Sequence, residues 1–207
     1  MKAPLLLPRL HAITDERIAR RPDVVDVARQ LAAAGGPALA LHARGRALSG
    51  LEHHDLAIRL SGHPAILFVN DRLDIALATG AAGVQLGRGS LPVSAARALE
   101  PLWWIGKSVH DRAAAEAALA EGADYLLVGP VFATASHPGT PPLGLAVLRQ
   151  IAAFGTPVVA IGGVTPENAP EIRDAGAYGA AAIRALWDAA DPAAAGAAVR
   201  QLLEVWA

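Results

Sequence analysis

Trp104-Ile105-Gly106 opens a short apolar strand that runs on into Gly106-Lys107-Ser108-Val109-His110, and a helical segment, Ala113 to Glu121, follows at once. Gly122-Ala123-Asp124 then ends that helix, glycine supplying the left-handed stop, and Tyr125 to Gly129 reads as the next strand. Two strands joined through a helix must lie parallel. The reading places Ser108 and His110 on a strand-to-helix loop, the end where parallel α/β proteins put their chemistry.

Working outward, the same unit recurs along the chain. Apolar runs predict strands at Leu10 to Ile13, Ala38 to His42, Ile66 to Val69, Gly83 to Leu86, Trp104 to Gly106, Tyr125 to Gly129, Val158 to Ile161 and Gly179 to Ile183. Between them, apolar residues at helical spacing predict helices that include Asp23 to Ala34, Asp71 to Thr79, Ala113 to Glu121, Leu143 to Phe154 and Glu167 to Ala175. The strand runs are apolar throughout rather than alternating, as strands covered on both faces should be. Eight strand–helix units predict an α/β fold, a single (β/α)8 TIM barrel domain over residues 1–207, shorter than the roughly 250 residues typical of that fold. An open doubly wound sheet would use the same alternation. The barrel is favoured because there are eight strand candidates and no Gly-x-Gly-x-x-Gly follows the first.

The 18 basic and 19 acidic residues nearly cancel and the arginines are scattered, so no footprint for nucleic acid is present. The absence of cysteine removes disulfides, thiolate nucleophiles and thiolate metal sites. Leu5-Leu6-Leu7, broken by Pro4 and Pro8, is too short for a signal or a membrane span, and a cytoplasmic protein is expected.

Polar clusters stand just past the strands, and in a barrel they converge on one mouth. His110 can titrate near neutral pH and is the candidate acid or base. For a lone histidine there, capping the helix or satisfying a loop carbonyl would be the better reading; the surrounding clusters favour the site. His42-x-Arg44-x-Arg46 alternates as an extended segment does, which would turn all three side chains one way, toward a substrate carboxylate or phosphate. Asn70, Asp71, Gln85 and Ser108 complete the candidate substrate-binding set. Gly162 and Gly163 before a helix, with Ile183 and Arg184 at the neighbouring strand end, form a candidate phosphate cup. Thr134, Ser136 and His137 follow the sixth strand. His53, His54 and His63 carry no site signal and are read as surface or loop residues, while His11 and His137 are left open. Asp71 has no second carboxylate at a neighbouring strand end, where Arg88-Gly89-Ser90 stands instead, so no metal or other cofactor is expected. Asp71 is read as helix N-terminal charge or a substrate contact.

At these residues the chain resembles the thiamine phosphate synthase/TenI superfamily over nearly its whole length. The motifs are Leu10-His11-Ala12-Ile13-Thr14-Asp15, Asn70-Asp71-Arg72-Leu73-Asp74-Ile75-Ala76, Gly83-Val84-Gln85-Leu86, Gly106-Lys107-Ser108-Val109-His110, Gly122-Ala123-Asp124-Tyr125 with Gly129-Pro130-Val131-Phe132, and Ala160-Ile161-Gly162-Gly163-Val164-Thr165-Pro166. The resemblance implies a (β/α)8 barrel with a phosphate site at the last two strands. Synthases of this kind carry Gln-x-Arg-x-Lys, Gln-Glu-Asp and Thr-x-Thr-Lys after the second, fourth and sixth strands. Here those places read His42-Ala43-Arg44-Gly45-Arg46, Arg88-Gly89-Ser90 and Thr134-Ala135-Ser136-His137. The second Mg²⁺ carboxylate and the loop lysine are therefore missing, and Arg184 stands where the family has a serine.

This pattern is similar to the thiazole tautomerase branch, TenI. That resemblance implies an isomerase that aromatises a carboxythiazole ethyl phosphate, with His110 as acid/base and no metal. The alternatives are a divergent synthase, a transferase coupling hydroxymethylpyrimidine pyrophosphate to thiazole phosphate with Mg²⁺, and a non-catalytic thiazole or thiamine phosphate binder. The implied partner is a small-molecule thiazole phosphate, with no nucleic acid and no membrane. A homodimer is compatible with the sequence.

Overall fold

The computed structural model describes residues 6–134, 139 and 141–207. Ser136 and His137 lie outside the described residues. The strands are β1 (Leu10–Ile13), β2 (Leu39–Ala43), β3 (Ile66–Asn70), β4 (Gly83–Leu86), β5 (Trp104–Val109), β6 (Tyr125–Val128), β7 (Val158–Ile161) and β8 (Gly179–Ala182). The helices are α1 (Glu16–Ala19), α2 (Val24–Gly35), α3 (Gly50–Leu60), α4 (Leu73–Thr79), α5 (Val93–Leu99), α6 (Arg112–Ala120), α7 (Gly144–Ala152), α8 (Ala169–Asp174), α9 (Arg184–Trp187) and α10 (Pro192–Glu204). Every strand pairs in parallel with the next, and β8 pairs back on β1 through Leu10 with Ala180 and Ala12 with Ala182. That closure is the (β/α)8 barrel; the open sheet is excluded.

Side chains alternate about the barrel wall. Leu39, Leu41, Val69, Val84, Leu126, Val128, Val158 and Ala160 point outward into the larger apolar cluster beneath the helices. Ile13, Ala40, Ile66, Phe68, Tyr125, Leu127, Val159 and Ala181 form a second cluster in the interior. The rings of His11 and His42 lie among them, against Phe68 and Tyr125. Two interior positions are glycine for a steric reason. A Cβ on Gly83 would sit 2.4 Å from Phe68 Cε1, and one on Gly106 2.1 Å from Tyr125 Cζ. Each large ring fills the volume its neighbouring strand leaves.

The helix exits behave as their glycines require, with φ of 90° at Gly122 and 92° at Gly176. Two local expectations change. β5 continues past Gly106 to Val109, because Ser108 and Val109 pair with Leu127 and Val128; Ser108 is thus a strand residue, and His110 is the first residue beyond. His53 is not a surface residue: it is buried on α3, and its Nε2 lies 2.9 Å from the Ala43 carbonyl at the end of β2. His54 is partly exposed on the same helix, and His63 is partly buried.

Candidate active site

The carboxyl ends of all eight strands open on one cavity of about 1440 Å³. A single small-molecule site occupies roughly 300–1,000 Å³, so this one has room for two ligands together. Its wall includes Arg44 and Arg46 after β2, Asn70 and Asp71 at β3, Arg88 after β4, Ser108 and His110 at β5, Gly162 and Gly163 after β7, and Ile183 and Arg184 after β8.

His110 is exposed to the cavity, and its Nδ1 lies 2.5 Å from the Gly129 carbonyl. The carbonyl can only accept, so Nδ1 carries the proton of that contact. Ser108 is half-buried and accepts a 3.0 Å hydrogen bond from Gln85 Nε2. Gln85 itself is buried and does not reach the cavity. Its place is behind Ser108, which it orients.

His42 also departs from the sequence expectation. It is fully buried, points into the barrel interior and meets His11 and Asn70 rather than the cavity. The three side chains of His42, Arg44 and Arg46 do not share a face because β2 ends at Ala43 and the chain turns there. The turn is held from β1. Thr14 Oγ1 accepts from the Arg44 N–H at 2.9 Å, and the Glu16 carboxylate accepts from the Ala47 N–H at 3.0 Å and from that of Arg46.

The guanidinium groups of Arg44, Arg46, Arg88 and Arg184 make no hydrogen bond or ion pair within 4.0 Å among the described residues. Elsewhere Arg21, Arg72 and Arg97 are each held by a carboxylate at 2.6 Å. Burial, with the neighbouring Arg46 charge, lowers the pKa of Arg44, partly offset by Glu16, Asp71 and Asp15. Four of the cavity's guanidinium groups are thus held by no carboxylate at close range among the described residues.

The turn after β7 has φ of 100° at Gly162 and 65° at Gly163. The glycines serve packing as well as the cavity, since a Cβ on either would meet the segment 130–133 at 2.6 Å. α8 begins only at Ala169, and Asn168 closes the intervening turn by accepting from the Thr165 N–H and donating to the Gly163 carbonyl. No helix start therefore follows Gly163 directly. The N–H groups of Gly163 and Val164 find no backbone acceptor among the described residues, and Arg184, after the neighbouring strand β8, lines the same cavity.

Asp71 does not start a helix, since α4 begins at Leu73. It holds a left-handed φ of 64°, a conformation Asp tolerates better than most residues. Its Oδ1 accepts from the Gly87 N–H at 2.9 Å and from the Ser90 hydroxyl. Lys107 Nζ donates to the Gly87 carbonyl at 3.0 Å, so the turn after β4 is fastened from both sides.

The family model for thiamine monophosphate synthase matches residues 10–186 of this chain. The chain belongs to the thiamine monophosphate synthase family. Among relatives, the thiamine-phosphate synthase of Methanoculleus marisnigri is 44% identical over 198 residues, covering 92% of this chain and 93% of that protein. That of Salinispora tropica is 44% identical over 204 residues, covering 95% and 98%. A solved structure of thiamine phosphate pyrophosphorylase from Pyrococcus furiosus superposes with a TM-score of 0.80 at 33% identity, covering 95% of this chain and 94% of that one.

These relatives overturn the reading of the chain as a thiazole tautomerase and isomerase. That reading weighed a few mouth residues, the absent carboxylate and lysine and the Ser108-Val109-His110 run, against a framework shared end to end with proteins named as synthases. Loop residues at a barrel mouth vary more freely than the scaffold that presents them.

The Mg²⁺ associated with this family does not fit the residues present. One carboxylate stands at the expected place, its Oδ1 already shared by Gly87 and Ser90. Ser90 supplies a hydroxyl where the family resemblance implies a second carboxylate, and the Lys107 ammonium reaches the same turn. Among the described residues no cluster of three His, Cys, Asp or Glu could hold a metal. No helix among them is long and apolar enough to cross a membrane.

The sequence reading also missed wall residues. Asp15, Glu16, Arg17 and Asp188 line the cavity, with Arg17 and Asp188 in a two-pronged ion pair of 2.9 and 2.7 Å. Thr14-Asp15 at the end of β1 carried a usable signal. Asp188 lies beyond the last strand and carried none.

Proposed function

We propose that this chain couples a pyrimidine pyrophosphate to a thiazole phosphate. The observation that carries the reading is the set of Arg44, Arg46, Arg88 and Arg184 around one cavity, without carboxylate partners among the described residues. Asp15, Glu16, Asp71 and Asp188 line the same cavity, but none of them holds these four guanidinium groups at close range, so the four stay open to an anion. Both substrates are anions, and the cavity has room for both.

In the reaction the bond between the pyrimidine's methylene carbon and the pyrophosphate oxygen breaks, and its electron pair leaves with pyrophosphate. The lone pair of the thiazole nitrogen forms the new carbon–nitrogen bond. Charge develops on the leaving oxygen, where Arg44, Arg46 and Arg88 supply fixed positive charge. The N–H groups of Gly163 and Val164, with Ile183 and Arg184, would hold the thiazole phosphate on the opposite side.

The test is formation of thiamine phosphate from the two substrates by the purified protein, with Mg²⁺ and with EDTA. Product in either condition supports the reading; no product in both overturns it. Titration of MgCl₂ into the substrate-free protein should show no site binding, because any Mg²⁺ used would arrive on the pyrophosphate. Saturable binding that Asp71→Asn abolishes would show a resident metal site instead.

A further inference from the structure

The chain joins the cavity wall at the end of β1 and makes one turn of helix there, α1. Asp15 caps that turn by accepting from the Ile18 N–H at 2.8 Å, and Ile18 is fully buried, so α1 is fixed at its start and on its apolar side. Glu16 and Arg17, between them, line the cavity and hold different neighbours. The Glu16 carboxylate accepts from two successive backbone N–H groups of the turn after β2, that of Arg46 and, at 3.0 Å, that of Ala47. Burial raises the pKa of this carboxyl group, but backbone N–H groups, those of Ala47 and Arg46 among them, and the Arg44 charge outweigh burial and hold it below the ordinary value. Arg17 closes its two-pronged ion pair on Asp188, the residue that ends α9.

The two neighbours carry the cavity's cations. The turn after β2 presents Arg44 and Arg46, and α9 begins at Arg184. α9 is a single turn in which the Asp188 N–H donates to the Arg184 carbonyl at 2.9 Å, so a hold on Asp188 is a hold on the backbone of Arg184. Trp187 anchors the same turn by burial, and Arg21 donates to the Trp187 carbonyl and reaches Asp188 at 3.4 Å. An ion pair as exposed as that of Arg17 adds little to folding stability, but two parallel hydrogen bonds fix a direction.

We propose that α1 is a strut between the two anion-binding sides of the cavity. Glu16 is a positioning residue for Arg44 and Arg46, and Arg17, through Asp188, is one for Arg184. The proposal rests on the coupling reading for where the anions lie, pyrophosphate on the first side and thiazole phosphate on the second. Adjacent residues then serve different substrates, and the turn that joins them sets the spacing of the two sides.

The test is binding of inorganic pyrophosphate and, separately, of thiazole phosphate to the full-length protein, measured by calorimetry in EDTA. Glu16→Ala should weaken pyrophosphate binding by about 10-fold and thiazole phosphate binding by less than about 2-fold, and Arg17→Ala should do the reverse. Glu16→Gln keeps an acceptor oxygen and should recover most of the lost affinity. Asp188→Ala should reproduce Arg17→Ala, and the double variant should lose no more than either single one. Should an alanine variant fail to fold, Glu16→Asp and Arg17→Lys should give the same split in smaller measure. Equal losses for both ligands, or no loss in either variant, overturn the strut whatever the coupling assay gives. Wild-type protein that binds both ligands without coupling them would remove the coupling reading and leave the strut standing; wild type that binds neither overturns both.

Discussion

At the scale of single residues, His110 separates two chemistries. A positioned acid or base contributes about 10²–10⁴-fold to rate. Coupling through a thiazole lone pair and a leaving pyrophosphate moves no proton, so His110 has only hydrogen bonds to offer. Its Nδ1 contact with the Gly129 carbonyl fixes the ring on the cavity wall. Replacing His110 with Asn should therefore lower kcat/KM for coupling by less than about 10-fold. Steady-state kinetics check this, and a loss of about 10²-fold or more would mean that a proton is carried here after all.

Among the elements, β5 holds one of the most tightly specified positions. Its Gly106 stands between Tyr125 of β6 and Gln85 of β4, and an added Cβ would fall 2.1 Å from Tyr125 Cζ and 2.3 Å from Gln85 Oε1. Neither neighbour can withdraw easily, since Tyr125 and Gln85 are both buried. Gly106→Ala should destabilise the protein by about 1–3 kcal/mol through overpacking, read as a lowered urea midpoint. Coupling should suffer as well, because Gln85 is the hydrogen-bond donor to Ser108 on the cavity wall. An unchanged midpoint would show that β5 can shift away from β6.

For the whole molecule, the buried histidine pair ties stability to pH. Folding lowers both pKa values, with His42 falling from 6.5 to about 4. Between those values the unfolded chain binds more protons than the folded one, so stability is complete above about 6.5 and is lost as pH falls toward 4. For His42 the linkage is on the order of 3 kcal/mol. Urea midpoints should fall steeply between neutral pH and about pH 5, before most carboxylates titrate. A midpoint that stays level over this range would mean the rings are solvated or already charged.

The barrel was legible from sequence because its signal is local. Apolar runs such as Val158 to Ile161, helix periodicity and exits at Gly122 and Gly176 are all written in consecutive residues. The mouth was legible in part for the same reason, since a residue just past a strand end faces it wherever the chain continues straight. Arg44, Asn70, Ser108, His110 and Arg184 were found in this way. His42 and Gln85 were misplaced because depth along the barrel depends on the register of each strand: both point inward but lie beneath the cavity, whereas Ser108, also one step before its strand end, reaches it. Asp188 and the Lys107 contact with Gly87 join segments far apart in sequence, which only closure of β8 onto β1 and pairing of β4 with β5 could bring together. The sequence by itself determined the alternation and the family. Tertiary structure decided which polar groups meet, because each meeting is a contact across strands whose spacing along the chain carries no trace of it.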